Sequence, residues 1–302
     1  MPMKSDVEIS IVILNYNGIF HTRELLFSVK EKLKDVSYEV IVVDNGSKNK
    51  EYEQLKTEFP EYKILDSGKN RGFAGGNNFG IKECLSDYVM LLNNDTLLTE
   101  SSIKWLLNRL KEHPEIAAVS PKIHFYSPQG TIQYAGFSQL SSITLRNKAI
   151  GFGEADMGQY EISHETASTH GAAMMVSREV INKVGLMPEL YFLYYEELDW
   201  CEMMRKAGYE IWYEPRSLVI HKESQSSGVN SPLKKYYLVR NRLLFASRNR
   251  NGLIKLLAIT YQLTVVLIKE LLSSLIERRF DLVKATFSGV KDFFLMRINK
   301  KQ

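Results

Sequence analysis

Apolar positions in the first hundred residues fall into short runs broken by polar turns. Residues 9–14, Ile-Ser-Ile-Val-Ile-Leu, form a β-branched run that stops at Asn15, Tyr16, Asn17 and Gly18, and residues 38–43 repeat the pattern before Asp44, Asn45, Gly46 and Ser47. Between these runs Leu25, Leu26, Val29 and Leu33 recur at helical spacing. Residues 62–65 predict a third strand, residues 70–78 a glycine-rich segment opening a helix, and residues 88–92 a fourth strand running into Asn93, Asn94 and Asp95. Strand, helix, strand at this spacing is a βαβ unit. The fold class expected is therefore α/β, with a parallel sheet whose loops gather at the strands' C-terminal ends. Ligands in open sheets bind at that edge, so four polar loops there predict one composite site.

The pattern weakens between residues 115 and 170, where 117–119, 123–126 and 132–134 read as short strand pieces and 151–168 as a mobile loop. The stretch 140–168 is a candidate lid over donor or acceptor. Order returns with a strand at 170–176, a helix over 178–184 stopped by Gly185, and the aromatic run 191–195, which leads into a helix ending near Gly208. Residues 210–213 and 217–220 predict two last strands before His221. From Lys234 onward the spacing is helical.

Composition adds a boundary. The net charge of +4 hides an asymmetry: residues 1–232 carry 24 Lys and Arg against 31 Asp and Glu, residues 233–302 carry 15 against 4. The division expected is one α/β domain over 1–232 and a basic helical extension over 233–302, fitted to anionic lipid or to a second subunit as a homodimer. The longest uncharged run there, residues 256–268, is 13 long, short of the roughly 20 that a spanning helix needs, which favours a peripheral, interfacial contact. No base-reading motif accompanies the charge, so no nucleic acid is expected. Cys84 and Cys201 have no pairing pattern, and a reducing cytoplasm fits.

Several loops carry candidate chemistry. Asp95, at the end of an apolar strand, can hold a divalent metal ion against phosphate oxygens, with His221 as a second ligand; the alternatives are an Asx turn and a surface histidine. Glu196, Glu197 and Asp199 crowd beside aromatic surface, which raises a carboxyl pKa toward the range of a general base, although acids also suit a helix N-terminus. Asp44 can accept from a pyrimidine imide or brace its own turn. The glycines at 72, 75 and 76 do not make the GxGxxG of a dinucleotide enzyme, and GxxxxGK[ST] is absent, so dehydrogenase and P-loop readings are disfavoured.

Seven motifs in order resemble the family 2 inverting glycosyltransferases of the GT-A fold, in particular the rhamnosyltransferase-like bacterial branch: residues 12–17, 42–47, 70–77, 92–95, 170–172, 194–199 and His221. The resemblance implies a GT-A domain, Rossmann-like, with a mainly parallel sheet flanked by helices, and assigns roles by position. Asp95 would close the metal-binding motif with His221, for Mn2+ or Mg2+, and Asn93 stands where the family's first acid stands. Glu197 would be the base, with Glu196 as runner-up and Asp199 beside them. Asn15, Tyr16, Asn17, Asp44, Asn70, Arg71, Gly72, Asn77, Asn93 and Asn94 would surround a dTDP- or UDP-sugar donor. His170, Gly171 and Ala172 would face the acceptor, a saccharide or a polyprenyl-linked one, in surface-polysaccharide synthesis at the cytoplasmic face of the membrane. A nucleotidyltransferase and an inactive assembly partner are the competing readings.

Overall fold

The structure, a computed structural model, describes residues 7–101, 103–223 and 231–298. The outer ends of the two expected domains, 1–6 and 299–302, and residues 224–230 within the expected first domain lie outside the described residues. The chain divides into two compact units. The first comprises the residues up to Ser138, Lys148–Phe192 and Glu196–Glu223; the second comprises Gln139–Asn147, Leu193–Tyr195 and the helices beyond residue 230.

The first unit opens with β1 (Ile9–Asn15), α1 (Ile19–Lys32), β2 (Tyr38–Asp44), α2 (Glu51–Glu58), β3 (Lys63–Asp66), α3 (Gly72–Ile81) and β4 (Tyr88–Asn93). β1 pairs in parallel with β2 and β4, and β2 with β3, as the apolar runs predict. Ile9, Ile11, Val12 and Ile13 are all buried, because helices cover both faces of a parallel sheet. α3 lies tight on β1. A Cβ on Gly80 would fall 2.5 Å from Val12 Cγ1 and one on Gly76 2.3 Å from Leu14 Cδ1, so only glycine admits the helix at that distance.

Next come β5 (Thr96–Leu98), α4 (Lys104–Glu112), β6 (Ile116–Phe125), β7 (Ile132–Tyr134), β8 (His164–Glu165), β9 (Ala173–Ser177), α5 (Arg178–Val184), α6 (Glu196–Lys206) and β10 (Glu210–His221). The sheet runs β3-β2-β1-β4-β9-β6-β10-β5. It is mixed beyond β4: β9 enters between β4 and β6, antiparallel to both, without a crossover helix before it. The two strand pieces at 117–119 and 123–126 are one strand, β6. The two predicted after 210 are likewise one strand, β10, whose pairing with β6 slips between Glu214 and Leu218. Pro215, which has no N–H, sits in that slip, and the buried Glu214 carboxylate closes it by accepting from Arg109, Arg216 and Ser163.

The expected mobile loop at 151–168 is fastened to the sheet. Asp156 takes Lys122 Nζ at 2.9 Å and His124 Nε2 at 2.8 Å, Glu161 takes the same lysine, and the Ile132 N–H donates to Glu154 O at 2.8 Å. Charged residues on β6, invisible as partners in a linear reading, supply this anchorage.

The second unit contains α7 (Pro232–Asn249), α8 (Gly252–Tyr261), a π-helical turn (Gln262–Val266), α9 (Leu267–Ile276) and α10 (Phe280–Ile298). Ser231 caps α7 by accepting from the Lys234 N–H, with Pro232 at the first helical position. The Tyr236 hydroxyl donates to Asp292 at 2.7 Å, holding α10 against α7. α8, the π turn and α9 form one helix of 25 residues, Gly252–Ile276, long and apolar enough by length and composition to cross a membrane, with only 17% of its most apolar window buried. The 13-residue uncharged run understates this element, because Lys269 and Glu270 interrupt the run and the helix continues through them.

Candidate functional site

Asp95 and His221 are 126 residues apart in sequence and meet because β5 pairs antiparallel with β10, placing Thr96 opposite His221. Asp95 is the residue before that pair. Its Oδ1 lies 3.1 Å from His221 Nε2, and both side chains are buried. The other ring nitrogen, Nδ1, lies 2.8 Å from Gln133 Oε1 on β7. Both ring nitrogens thus face oxygen acceptors, whereas a neutral imidazole carries one N–H. A cation between Nε2 and Oδ1 satisfies both lone pairs, so this oxygen and nitrogen pair fits a divalent metal ion. Among the described residues no group of three His, Cys, Asp or Glu is placed to hold a metal ion, so a cation at this pair would need ligand oxygens and water to complete its coordination.

His170 belongs beside this pair. Its ring is 6.0 Å from that of His221 and stacks on Phe137 at 6.3 Å, and its Nδ1 accepts from the Ala172 N–H at 3.1 Å. Burial, and then the neighbouring His221, push its pKa down, to about 3. The same turn reaches two further candidates. The Asn93 N–H donates to Ala172 O at 2.9 Å, and a Cβ on Gly171 would lie 3.5 Å from Glu197 Oε1.

Glu197 sits in the first turn of α6 with Glu196 and Asp199. Glu196 and Asp199 are buried at 2% and 0% exposure, while Glu197 is only partly buried and lays its carboxylate against Gly171. Burial raises the Glu197 pKa above the ordinary carboxylate value. Arg205, on the same helix, pairs with Glu202 at 3.0 Å and donates to Ala167 O.

On the expected donor side, exposure separates ligand-facing residues from framework. Tyr16 is 42% exposed, and Asn17 and Arg71 are also exposed. Asn17, at φ 51°, accepts from the Lys48 N–H, and its own N–H donates to Ser47 Oγ. Arg71 donates to Ser67 O and lies over the Phe79 ring at 4.9 Å. Asn70 Oδ1 accepts from the Gly72 N–H at 2.8 Å. Asp44 is 3% exposed, its two oxygens taken by Asn15 Nδ2 and the Ser47 N–H.

Three residues expected to touch the donor serve the scaffold instead. Asn15 is fully buried; its amide donates to Asp44, Ser47 and Glu51 and accepts from Thr22. Asn77, 2% exposed, returns its amide to Phe73 O on its own helix. Asn94 donates to Gly18 O and Thr22 Oγ1. Each amide is engaged within the protein, Asn15 by side chains of neighbouring loops, Asn77 by a carbonyl of its own helix, and Asn94 by the start of α1.

Gln133, Asn45, Glu51 and Asn78 are the framework groups the sequence reading does not nominate. Asn45 ties the second loop to the glycine-rich one, donating to Asn70 Oδ1 and Gly72 O and accepting from the Arg71 N–H. Asn78 brackets Met187, donating to its carbonyl at 2.8 Å and accepting its N–H at 3.1 Å. A polar residue inside an apolar run was the only signal for Gln133.

Residues 10–185 match the family model described as Glycosyl transferase family 2. A low-salt glycan biosynthesis hexosyltransferase of Haloferax volcanii is 26% identical over 251 residues, 78% of this chain and 75% of that protein. A dTDP-rhamnosyl transferase of Shigella flexneri is 25% identical over 254 residues, 79% of each chain. The fold is similar to the crystal structure of GalNAc-T7 with UDP, GalNAc and Mn2+, at a TM-score of 0.62 and 18% identity, covering 80% of this chain and about half, 51%, of that one.

Proposed function

This chain belongs to glycosyl transferase family 2, and on that premise we propose that it transfers a sugar from a nucleotide donor with inversion, using Glu197 as base and Asp95 with His221 as the metal pair. One observation supports this most. The turn 170–172 touches both halves of the chemistry, through Asn93 on the side of Asp95 and through Gly171 under Glu197. A base and a phosphate-side pair flanking one turn suit a single in-line displacement.

Glu197 takes the proton of the acceptor hydroxyl, whose oxygen bonds to the anomeric carbon. The bond from that carbon to the diphosphate oxygen breaks, and its electron pair leaves with the nucleoside diphosphate. A divalent ion, when bound, neutralises charge on that leaving group. Asp95 and His221 hold the ion, and Asn93 lies beside the diphosphate. Tyr16, Asn17 and Arg71 receive the nucleotide, and Asp44 braces the turn beneath them. dTDP-rhamnose is the preferred donor, since a dTDP-rhamnosyl transferase is among the relatives, with a UDP-hexose next. The acceptor is a saccharide, free or polyprenyl-linked, met at the cytoplasmic face of a membrane on which the basic helices rest.

The test incubates the full-length protein with dTDP- and UDP-sugars plus Mn2+ or Mg2+ and follows nucleoside diphosphate release beside a Glu197→Gln variant. Metal-dependent release with one donor, lost in the variant, is the expected result. Failure to bind any nucleotide sugar removes the reading.

A further inference from the structure

Gln133 is 4% exposed and sits between Ile132 and Tyr134, both fully buried, on the three-residue strand β7. A polar side chain in such surroundings is costly unless bonded, and Gln133 meets His221. We infer that Gln133 is a positioning residue that fixes the proton of His221 on Nδ1 and so commits the Nε2 lone pair to a divalent cation shared with Asp95. This rests on the reading of Asp95 and His221 as the metal pair.

The two neighbouring histidines make the argument. Gln133 presents its carbonyl oxygen to His221 Nδ1 at 2.8 Å, and an oxygen there holds a proton on that nitrogen. Nε2 is then an acceptor, 3.1 Å from a carboxylate oxygen that is also an acceptor. Two facing lone pairs repel unless a positive species lies between them. At His170 the direction is reversed: Nδ1 accepts from the Ala172 backbone N–H, which leaves the proton on Nε2. The rings are 6.0 Å apart and on this reading hold opposite tautomers, so His221 is the one whose lone pair is turned to the side of Asp95, toward a shared cation. An outer hydrogen bond of this kind orients a ligating imidazole and raises its basicity.

Two readouts decide. Long-range 1H–15N spectra of the full-length, metal-free protein should show the His221 proton on Nδ1; a proton on Nε2 alone overturns the inference without any variant. Mn2+ binding in the presence of UDP, followed by the paramagnetic resonance of free Mn2+, should weaken about 10- to 100-fold in Gln133→Leu. Gln133→Glu keeps an oxygen toward Nδ1 and should bind near the wild-type level. Equal binding by Gln133→Leu and wild type, or equally weak binding by both variants, overturns the role of Gln133 alone. A wild-type protein that binds no Mn2+ removes the metal pair and this inference together.

Discussion

Glu197 is the base we propose, and its surroundings give its behaviour a sign. Burial raises its pKa, and a base works only when deprotonated, so the acid limb of the kcat/KM profile should lie above the ordinary glutamate value of about 4.3. A limb at or below that value would contradict the assignment. The same shift has a cost in stability. The native carboxyl holds its proton more tightly than the unfolded one, so stability is greatest below the unfolded pKa and falls as pH rises through the folded one. Glu197→Gln should therefore melt at a higher temperature than wild type at neutral pH while kcat drops roughly 10²- to 10⁴-fold. Calorimetry beside a turnover assay checks both, and a variant that loses stability together with activity would make Glu197 a structural residue. Asp95→Asn should lower kcat on the order of 100-fold and raise the Mn2+ concentration needed for half-maximal rate. Residues 93–95 and 196–199 were legible as candidates because acids gather there at a strand end and beside aromatic surface, although an Asx turn or a helix N-terminus uses the same residues. The partners of Asn15, Asn77 and Asn94 were not legible, because an amide's sequence position does not reveal whether it faces outward or bonds within the protein.

Elements, not single residues, bring the site together. The parallel half of the sheet sets four loop openings along one edge, and the β5–β10 register carries His221 to Asp95. α3 contributes through its first residue: Gly72 has φ +72°, and a Cβ there would fall 2.2 Å from Phe192 O, whose carbonyl also accepts from the Phe73 N–H at 2.8 Å. Gly72→Ala should accordingly lower unfolding stability by about 2–4 kcal/mol in urea titration, because the left-handed conformation and the clash must both be relieved. It should also reduce kcat, since residues 187–192 lead into α6. An alanine variant with wild-type stability would mean that the segment yields freely. The parallel strands and most helices were visible as periodicity, a local property. The antiparallel insertion of β9 and the slip in β10 were not, because pairing partners far apart in sequence leave no periodic trace.

For the whole molecule, charge and apolar exposure concentrate in the second unit. Leu253, Leu256, Ile268, Leu272, Ile276 and Phe280 are each more than half exposed, and the residues from 233 on carry 15 Lys and Arg against 4 Asp and Glu. Full-length protein should sediment with phosphatidylglycerol vesicles more than with phosphatidylcholine ones. Binding should fall as salt rises from 0.05 to 0.5 M, roughly the range over which screening shortens from above 10 Å to below 5 Å, and Leu253→Glu with Leu256→Glu should weaken it at any salt. Binding that ignores both lipid charge and these leucines would favour a second subunit as the partner of this surface. The sequence by itself determined the class of fold and the charge division along the chain, and it nominated the polar loops at the sheet edge and the candidate acids and histidine, since each follows from local periodicity or from residue type. Only the tertiary structure decided which amides are framework, that Glu197 rather than Glu196 is accessible, and that Gln133 stands behind His221. Those depend on burial and register, which arise when the chain packs against itself, in the case of His221 across 88 residues to Gln133 and 126 to Asp95.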